Sequence, residues 1–286
     1  MPELDSTQEE ADTRMLLHAK HAGDAGSTGI VIKSPDTDVL MLACHFQQSI
    51  PQNMYIHTGT KTRTRYIDIE AVSRKLGPAV CKALPGLHSF TGCDTNGAFA
   101  GKGKQRAFDL VVTKPDMCEA MKSIGCSVPV SETTLQAAQT FVCSLYGKPG
   151  EDVDELRYQM FCGKGSASHQ LPPCSDALRK HTKRANYQAL VWRRSLEATP
   201  NLPSPDGHGW KVTADEITVD WMDLQPAPKA VLELIKCGCT QGCGGNRCSC
   251  VRNRLLCTDC CGCRDCVNTV REDDGNDSET DGDDVT

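Results

Sequence analysis

The chain has 286 residues, 39% hydrophobic and 24% charged, with a formal net charge of -6. That length holds one sizeable core plus a smaller module. No apolar run approaches the roughly 20 residues of a membrane span and no signal-peptide pattern follows Met1, so an intracellular, soluble protein without a membrane partner is expected. The acidic balance is local: eight carboxylates crowd the last fifteen residues, leaving 29 of the 37 Asp and Glu against 31 Lys and Arg. The folded part is therefore near neutral, and residues 269–286 read as a disordered acidic tail.

Residues 9–22 carry acidic groups in an opening turn and Met15, Leu16 and Ala19 at helical spacing, which predicts a helix with negative charge at its amino end. GIVIK at 29–33 predicts a short buried strand that Ser34 and Pro35 end, and DVLMLACHF continues as a helix. A second strand is expected over 53–58, a turn over Thr60–Arg65, and a helix from Tyr66 that Gly77 and Pro78 stop. Further helices are expected over 79–92 and between 114 and 150, then a basic helix near 174–198 with Arg179, Lys180, Lys183, Arg184, Arg193 and Arg194. That helix is either a DNA-facing surface or a plain solvated face. The Pro- and Asp-rich stretch from 199 reads as a linker that packs on something, and no internal repeat is visible.

Five carboxylates fall in three short clusters along these elements: Glu10 and Asp12, Asp36 and Asp38, and Asp94. Asp36 and Asp38 follow a strand, at the end where open α/β sheets place their ligand sites. Acidic residues at helix starts often only cap the helix. Five of them at one place would repel one another unless divalent cations, which favour oxygen ligands, lay between them. Two such ions about 4 Å apart serve phosphodiester hydrolysis.

Residues 92–111 read GCDTNGAFAGKGKQRAFDLV. This resembles the helix-turn-helix of the flap endonuclease branch of the PIN-like 5′ nuclease family, matching through Gly92, Asp94, Gly101, Gly103, Arg106, Ala107, Asp109 and Leu110. The family's Glu-Ala-Glu and Asp-x-Asp-x-Leu motifs are similar to Glu10, Ala11 and Asp12 and to Asp36, Asp38 and Leu40. The resemblance covers residues 9–111. It implies a sheet flanked by helices with a helix-turn-helix, and Glu10, Asp12, Asp36, Asp38 and Asp94 as catalytic ligands of two Mg²⁺ or Mn²⁺. It also implies DNA as partner. Gly101 and Gly103 would let backbone N–H groups approach phosphate, while Lys102, Lys104 and Arg106 add charge. The family carries two further aspartates ahead of these motifs. Glu3 and Asp5 have no strand context to replace them, so the chain is either amino-terminally incomplete or its catalytic centre has decayed.

Ten of the 18 cysteines lie between Cys237 and Cys266. Without a secretion signal, such density argues for zinc thiolate over disulfides. Cys237, Cys239, Cys243, Cys248, Cys250, Cys257, Cys261, Cys263 and Cys266 follow CxCx3Cx4CxCx6Cx3CxCx2C, with Asn268 closing and Cys260 as the tenth thiol. The pattern resembles one tesmin-type CXC (CRC) repeat, a zinc fold associated with DNA binding. About three tetrahedral zinc ions, needing about twelve thiolate bonds, are served by nine cysteines if three bridge. Lys236, Arg247, Arg252, Arg254 and Arg264 would offset the cluster's charge while facing phosphate. Thr240, Gln241 and Arg247 stand where the family sets Lys residues and a Tyr, so zinc binding carries over and specific DNA reading does not. A purely structural knot or a protein-interaction module remains open.

The eight histidines show no metal spacing among themselves, and His88, six residues before Asp94, is the one to watch. Packing accounts for Cys93. The expected architecture is an α/β nuclease-like domain over 1–198, a linker over 199–235, a zinc module over 236–268 and the tail. The expected function is a nuclear, DNA-binding, metal-dependent nuclease-like protein without a small-molecule cofactor. The alternative is an inactive, zinc-containing DNA-binding or chromatin scaffold, a pairing that fits a mobile-element-derived gene.

Overall fold

The computed structural model describes residues 4–60, 62–162, 170–214, 216–224, 237–240, 242–245, 247–252, 255–258, 261–264 and 266–269. Among them are ten helices, a three-stranded mixed sheet and a small hairpin, an α/β arrangement. Contacts divide the chain into two units, Met1–Tyr158 with Pro172–Leu224, and Gln159–Leu171 with Gln225–Thr286.

The first unit opens with α1 (Ala11–Asp24), β1 (Gly29–Lys33), α2 (Thr37–Phe46) and β2 (Asn53–Gly59). β1 and β2 pair in parallel, with Ile30 opposite Met54 and Ile32 opposite Ile56. These four side chains are buried and set the register, since a one-residue slip would turn all of them to water. GIVIK is half-buried, however, rather than buried throughout: on the other face Val31 is 58% exposed and Tyr66 62% exposed.

The helix expected from Tyr66 starts later. Thr64–Asp68 forms β3, antiparallel to β2, with Ile67 opposite Ile56 and the ring of Tyr66 stacked on His57 at 4.7 Å. β-branched and aromatic residues favour this pleated surface. Asp68 then accepts a hydrogen bond from Ala71 N–H at 2.9 Å and starts α3 (Ile69–Leu76).

α4 (Pro78–Thr91) is the centre of the unit. It packs on α2, α3, α5 (Lys104–Thr113), α6 (Pro115–Ser123) and α9 (Ser175–Arg193), and eleven of its residues are buried. A helix apolar on nearly every side is a core helix. Phe90 is fully buried among Phe99, Phe141 and His181. Gly86 permits the tightest approach, since a Cβ there would lie 2.0 Å from the Met121 carbonyl oxygen of α6. α7 (Glu132–Leu145) and α8 (Val153–Cys162) complete the helices before α9.

The charges of α9 do not form a plain solvated face. Arg179 pairs with Glu132, Lys180 with Asp220 and Asp223, and Arg193 donates to the carbonyls of Lys82, Lys122 and Ile124. Arg184 is buried, donating to Asn96 Oδ1 and to the carbonyls of Gly209 and Asp220. Lys183 donates to the Gly207 carbonyl and Arg194 to that of Asn201, so all six cations tie the helix to its own fold. Residues 199–224, expected as linker, belong to this unit. They carry the hairpin β4 (Trp210–Val212) and β5 (Ile217–Val219), and Asp176 Oδ2 accepts from the backbone N–H groups of Asp223 and Leu224. The rest of the expected linker, 225–236, and the acidic tail from 270 lie outside the described residues. The second unit holds the short α10 (Ser249–Arg252) and the cysteine-rich segment.

Candidate metal centres

Three connections carry the predicted acidic side chains of the first unit. Glu10 stands before α1, with Asp12 in that helix's first turn. Asp36 and Asp38 start α2 just past the carboxyl end of β1. Asp94 follows α4 in a turn closed by two backbone hydrogen bonds between Cys93 and Asn96. One carboxylate oxygen from each of Asp12, Asp36 and Asp38 lies within 4.8 Å of the others, so these three could hold a metal ion. Burial first, then the charges of Asp36, Asp38, Glu10 and Asp94, push the Asp12 carboxyl above its ordinary 3.8. The structure thus brings Asp12, Asp36 and Asp38 together, whereas Glu10 and Asp94 bear on Asp12 only through their charge.

Capping explains some of these groups and not others. Asp36 does cap α2, accepting from Asp38 N–H at 2.9 Å. Glu10 sits at the N-cap position of α1 without capping it. Its carboxylate is taken from outside: Gln188 Nε2 donates to Oε1 at 2.7 Å and Trp192 Nε1 to Oε2 at 2.9 Å. Thr95 Oγ1, next to Asp94, donates to Gln188 Oε1 at 2.8 Å, so α9 links the first and third acidic clusters. Sequence reasoning missed Gln188 and Trp192. Their only local trace is the i,i+4 spacing that puts both on one helix face.

Asp38 has a partner of its own. His88, buried in α4, places Nε2 2.6 Å from Asp38 Oδ1, and Lys104 Nζ lies 3.1 Å from Nε2 and 3.4 Å from Nδ1 of the same ring. Burial alone would raise the Asp38 carboxyl, but the His88 hydrogen bond and the positive field of His88 and Lys104 outweigh it and hold the group below 3.8. The neighbouring carboxyls Asp12 and Asp38 are thus displaced in opposite directions. Gly92 allows the turn that follows: its φ is 119°, and a Cβ would stand 3.0 Å from that of Ala98. Cys93 is raised by burial and hydrogen-bonds Thr95, which suits packing rather than chemistry. His45 and His181, drawn down to about 4 by burial, contact the carbonyls of Cys81 and Phe90 as packed side chains.

The glycine hairpin splits its predicted phosphate contacts. Lys104 turns toward His88, whereas Lys102 lies over the Tyr146 ring at 4.6 Å. Arg106 is exposed beside Gly147. Gly101 has a φ of 64°, and Gly103 precedes α5 without a side-chain cap. A Cβ on either glycine would meet no protein atom within 4 Å. The space beside both is open to solvent.

In the second unit all nine cysteines of the spacing pattern converge. Four overlapping sets, each with its sulfurs mutually within 4.8 Å, comprise Cys237, Cys257, Cys261 and Cys263; Cys237, Cys239, Cys243 and Cys248; Cys237, Cys248, Cys250 and Cys257; and Cys243, Cys257, Cys263 and Cys266. Neighbouring sulfurs are separated by 3.7 Å for Cys237–Cys243 and Cys248–Cys257, 3.8 Å for Cys237–Cys263 and 3.6 Å for Cys250–Cys261. A disulfide needs about 2.05 Å. The edge of a tetrahedron of thiolates around zinc, with Zn–S near 2.3 Å, is about 3.8 Å. The cluster could therefore hold zinc, with Cys237 and Cys257 in three sets each, as bridging ligands would be.

The thiols are poorly suited to stand alone. Burial and neighbouring thiols push Cys243 and Cys257 well above the ordinary range, whereas the Val251 N–H draws Cys248 down to about 6. Asn268 closes the module as its position suggested: Nδ2 donates to the Leu255 carbonyl at 3.0 Å and to Cys257 Sγ at 3.3 Å. Arg247, Arg252 and Arg264 are exposed. Lys236, Arg254 and the tenth thiol, Cys260, lie outside the described residues.

No protein-family model, curated protein or solved structure matches the chain.

Proposed function

We propose that the first unit is a PIN-like, flap endonuclease-type module that binds DNA and holds divalent cations, Mg²⁺ or Mn²⁺, with Glu10, Asp12, Asp36, Asp38 and Asp94. The observation that carries this reading is the meeting of Asp12, Asp36 and Asp38, from two separate helix starts, with oxygens within 4.8 Å. The raised Asp12 carboxyl adds to it: burial is the first cause, and a cation would relieve the carboxylate repulsion that comes second. Bound cations would supply Lewis acidity and an activated water for phosphodiester hydrolysis. The protein's own part is to fix the carboxylates and receive the phosphate backbone. Gly101 and Gly103 leave room for that backbone at the start of α5, where unsatisfied N–H groups favour an anion. Lys102, Lys104 and Arg106 add contacts that position a duplex without reading its bases.

The second unit, on the same reading, is a CXC-type module that takes about three zinc ions on nine thiolates, its exposed arginines facing nucleic acid. The test is cleavage of a labelled flap or gapped duplex with Mg²⁺. Asp36→Ala and Asp94→Ala are expected to lower the rate by about a hundredfold or more, since each removes a group from the ion-binding locus.

A second reading has its own observation. Asp36 caps a helix, Asp38 pairs with His88, and Glu10 is fully occupied by α9, so three of the five carboxylates have structural work without any ion. In that case the protein is a DNA-binding scaffold. Salt-sensitive binding with no cleavage under Mg²⁺ or Mn²⁺ would favour it.

A further inference from the structure

Asp38 is the one carboxylate of the cluster bound by a side chain that can also be a cation. The contact is short, at 2.6 Å, and His88 is buried between its partners: Asp38 on one side, Lys104 along the ring edge, and the Trp192 ring 5.7 Å away. A carboxylate only accepts, so the hydrogen in this contact is carried by Nε2. α4 is fixed on nearly every side by the core, so its imidazole cannot follow a rotating aspartate; it decides where the aspartate points. With Oδ1 committed to His88 the Asp38 torsion is set, and one oxygen of the carboxylate so held lies within 4.8 Å of oxygens of Asp12 and Asp36.

From this geometry we infer that His88 is a positioning residue for the carboxylate site: it orients Asp38 toward a divalent cation without touching the ion. The inference rests on the proposed metal-binding reading and adds a residue to it that no acidic motif contains. Such outer partners typically change metal affinity by about 10- to 100-fold when removed. A packing role alone would instead change stability and leave affinity intact.

The experiment is a calorimetric titration of the full chain, zinc-loaded, with Mn²⁺, on wild type, His88→Ala, His88→Gln and Asp12→Asn, each first melted to establish that it folds. Gln places an N–H donor near the position of Nε2. The expected result is a roughly tenfold or greater loss of Mn²⁺ affinity in His88→Ala, with most of it recovered in His88→Gln even if the two variants melt alike. Wild-type affinity in a folded His88→Ala overturns the inference while leaving the metal site standing. Should His88→Ala fail to fold, His88→Gln decides: affinity within about threefold of wild type supports the role, and a loss as large as that of Asp12→Asn overturns it. No Mn²⁺ binding by wild type, or binding that Asp12→Asn leaves unchanged, overturns the metal-binding reading and the inference with it.

Discussion

Asp12 and Asp38 are separated by a few ångströms and yet are displaced in opposite directions, which makes pH a probe of single residues. Asp12 sits above its ordinary 3.8 because burial and four carboxylates oppose its ionisation. A cation binds only the ionised form, so divalent affinity is expected to climb as pH rises through the raised value of Asp12 and to level off above it. Asp12→Asn should lower the affinity and flatten that climb, as read by Mn²⁺ titration at a series of pH values. Asp38 has the opposite sign. Its folded-state value is depressed, so its contribution to stability is complete above 3.8 and is lost as pH falls through the lower folded value. Acid unfolding of His88→Ala should accordingly begin at higher pH than that of wild type. At the hairpin, Lys102→Ala and Arg106→Ala should each weaken duplex binding across all sequences and reduce the dependence of log K on log salt by about 1, because phosphate contacts carry no base information.

Among the elements, α4 and α9 carry the site. α4 brings His88 and leads into Asp94, and α9 brings Gln188 and Trp192 to Glu10. Gly86→Ala places a methyl group against the Met121 carbonyl and is expected to destabilise the first unit by about 1–3 kcal/mol in denaturant unfolding, as overpacking does. Much of this was legible in the residues. The β1 end and the α2 start stand where the acidic motif and the strand pattern placed them, since the Asp36 cap and the strand-ending Ser-Pro act locally. β3 was not legible, because TRYID between a basic turn and a helix becomes a strand only by pairing with β2. The fate of α9 was hidden for a similar reason. Its arginines and lysines meet Glu132, Asp220 and backbone carbonyls from distant parts of the chain, and a charge run says nothing of its partners. Gln188 lies 178 residues from Glu10, and only the fold brings them together.

At the scale of the whole molecule, two kinds of metal chemistry are expected in one chain, oxygen ligands in the first unit and sulfur ligands in the second. The first unit has a core of its own, whereas the cysteine segment has little besides its thiols to bury. Its folding free energy is then expected to come largely from bound zinc, which supplies of the order of 10–16 kcal/mol in zinc-finger peptides. Elemental analysis is expected to give about three zinc ions per chain, on the bridging arithmetic of nine thiolates. Cys257→Ser, which removes a member of three sets, should lose more zinc than Cys239→Ser, which removes a member of one. A chelator should unfold this segment while leaving the melting of the first unit unchanged, a separation that differential scanning calorimetry would resolve. The convergence of carboxylates on a divalent ion is the claim on which the rest depends, and it is open to direct observation. Crystals grown with Mn²⁺ and measured at the manganese absorption edge should give an anomalous peak bounded by Asp12, Asp36 and Asp38. An empty locus at saturating Mn²⁺, with those carboxylates ordered, would contradict the account.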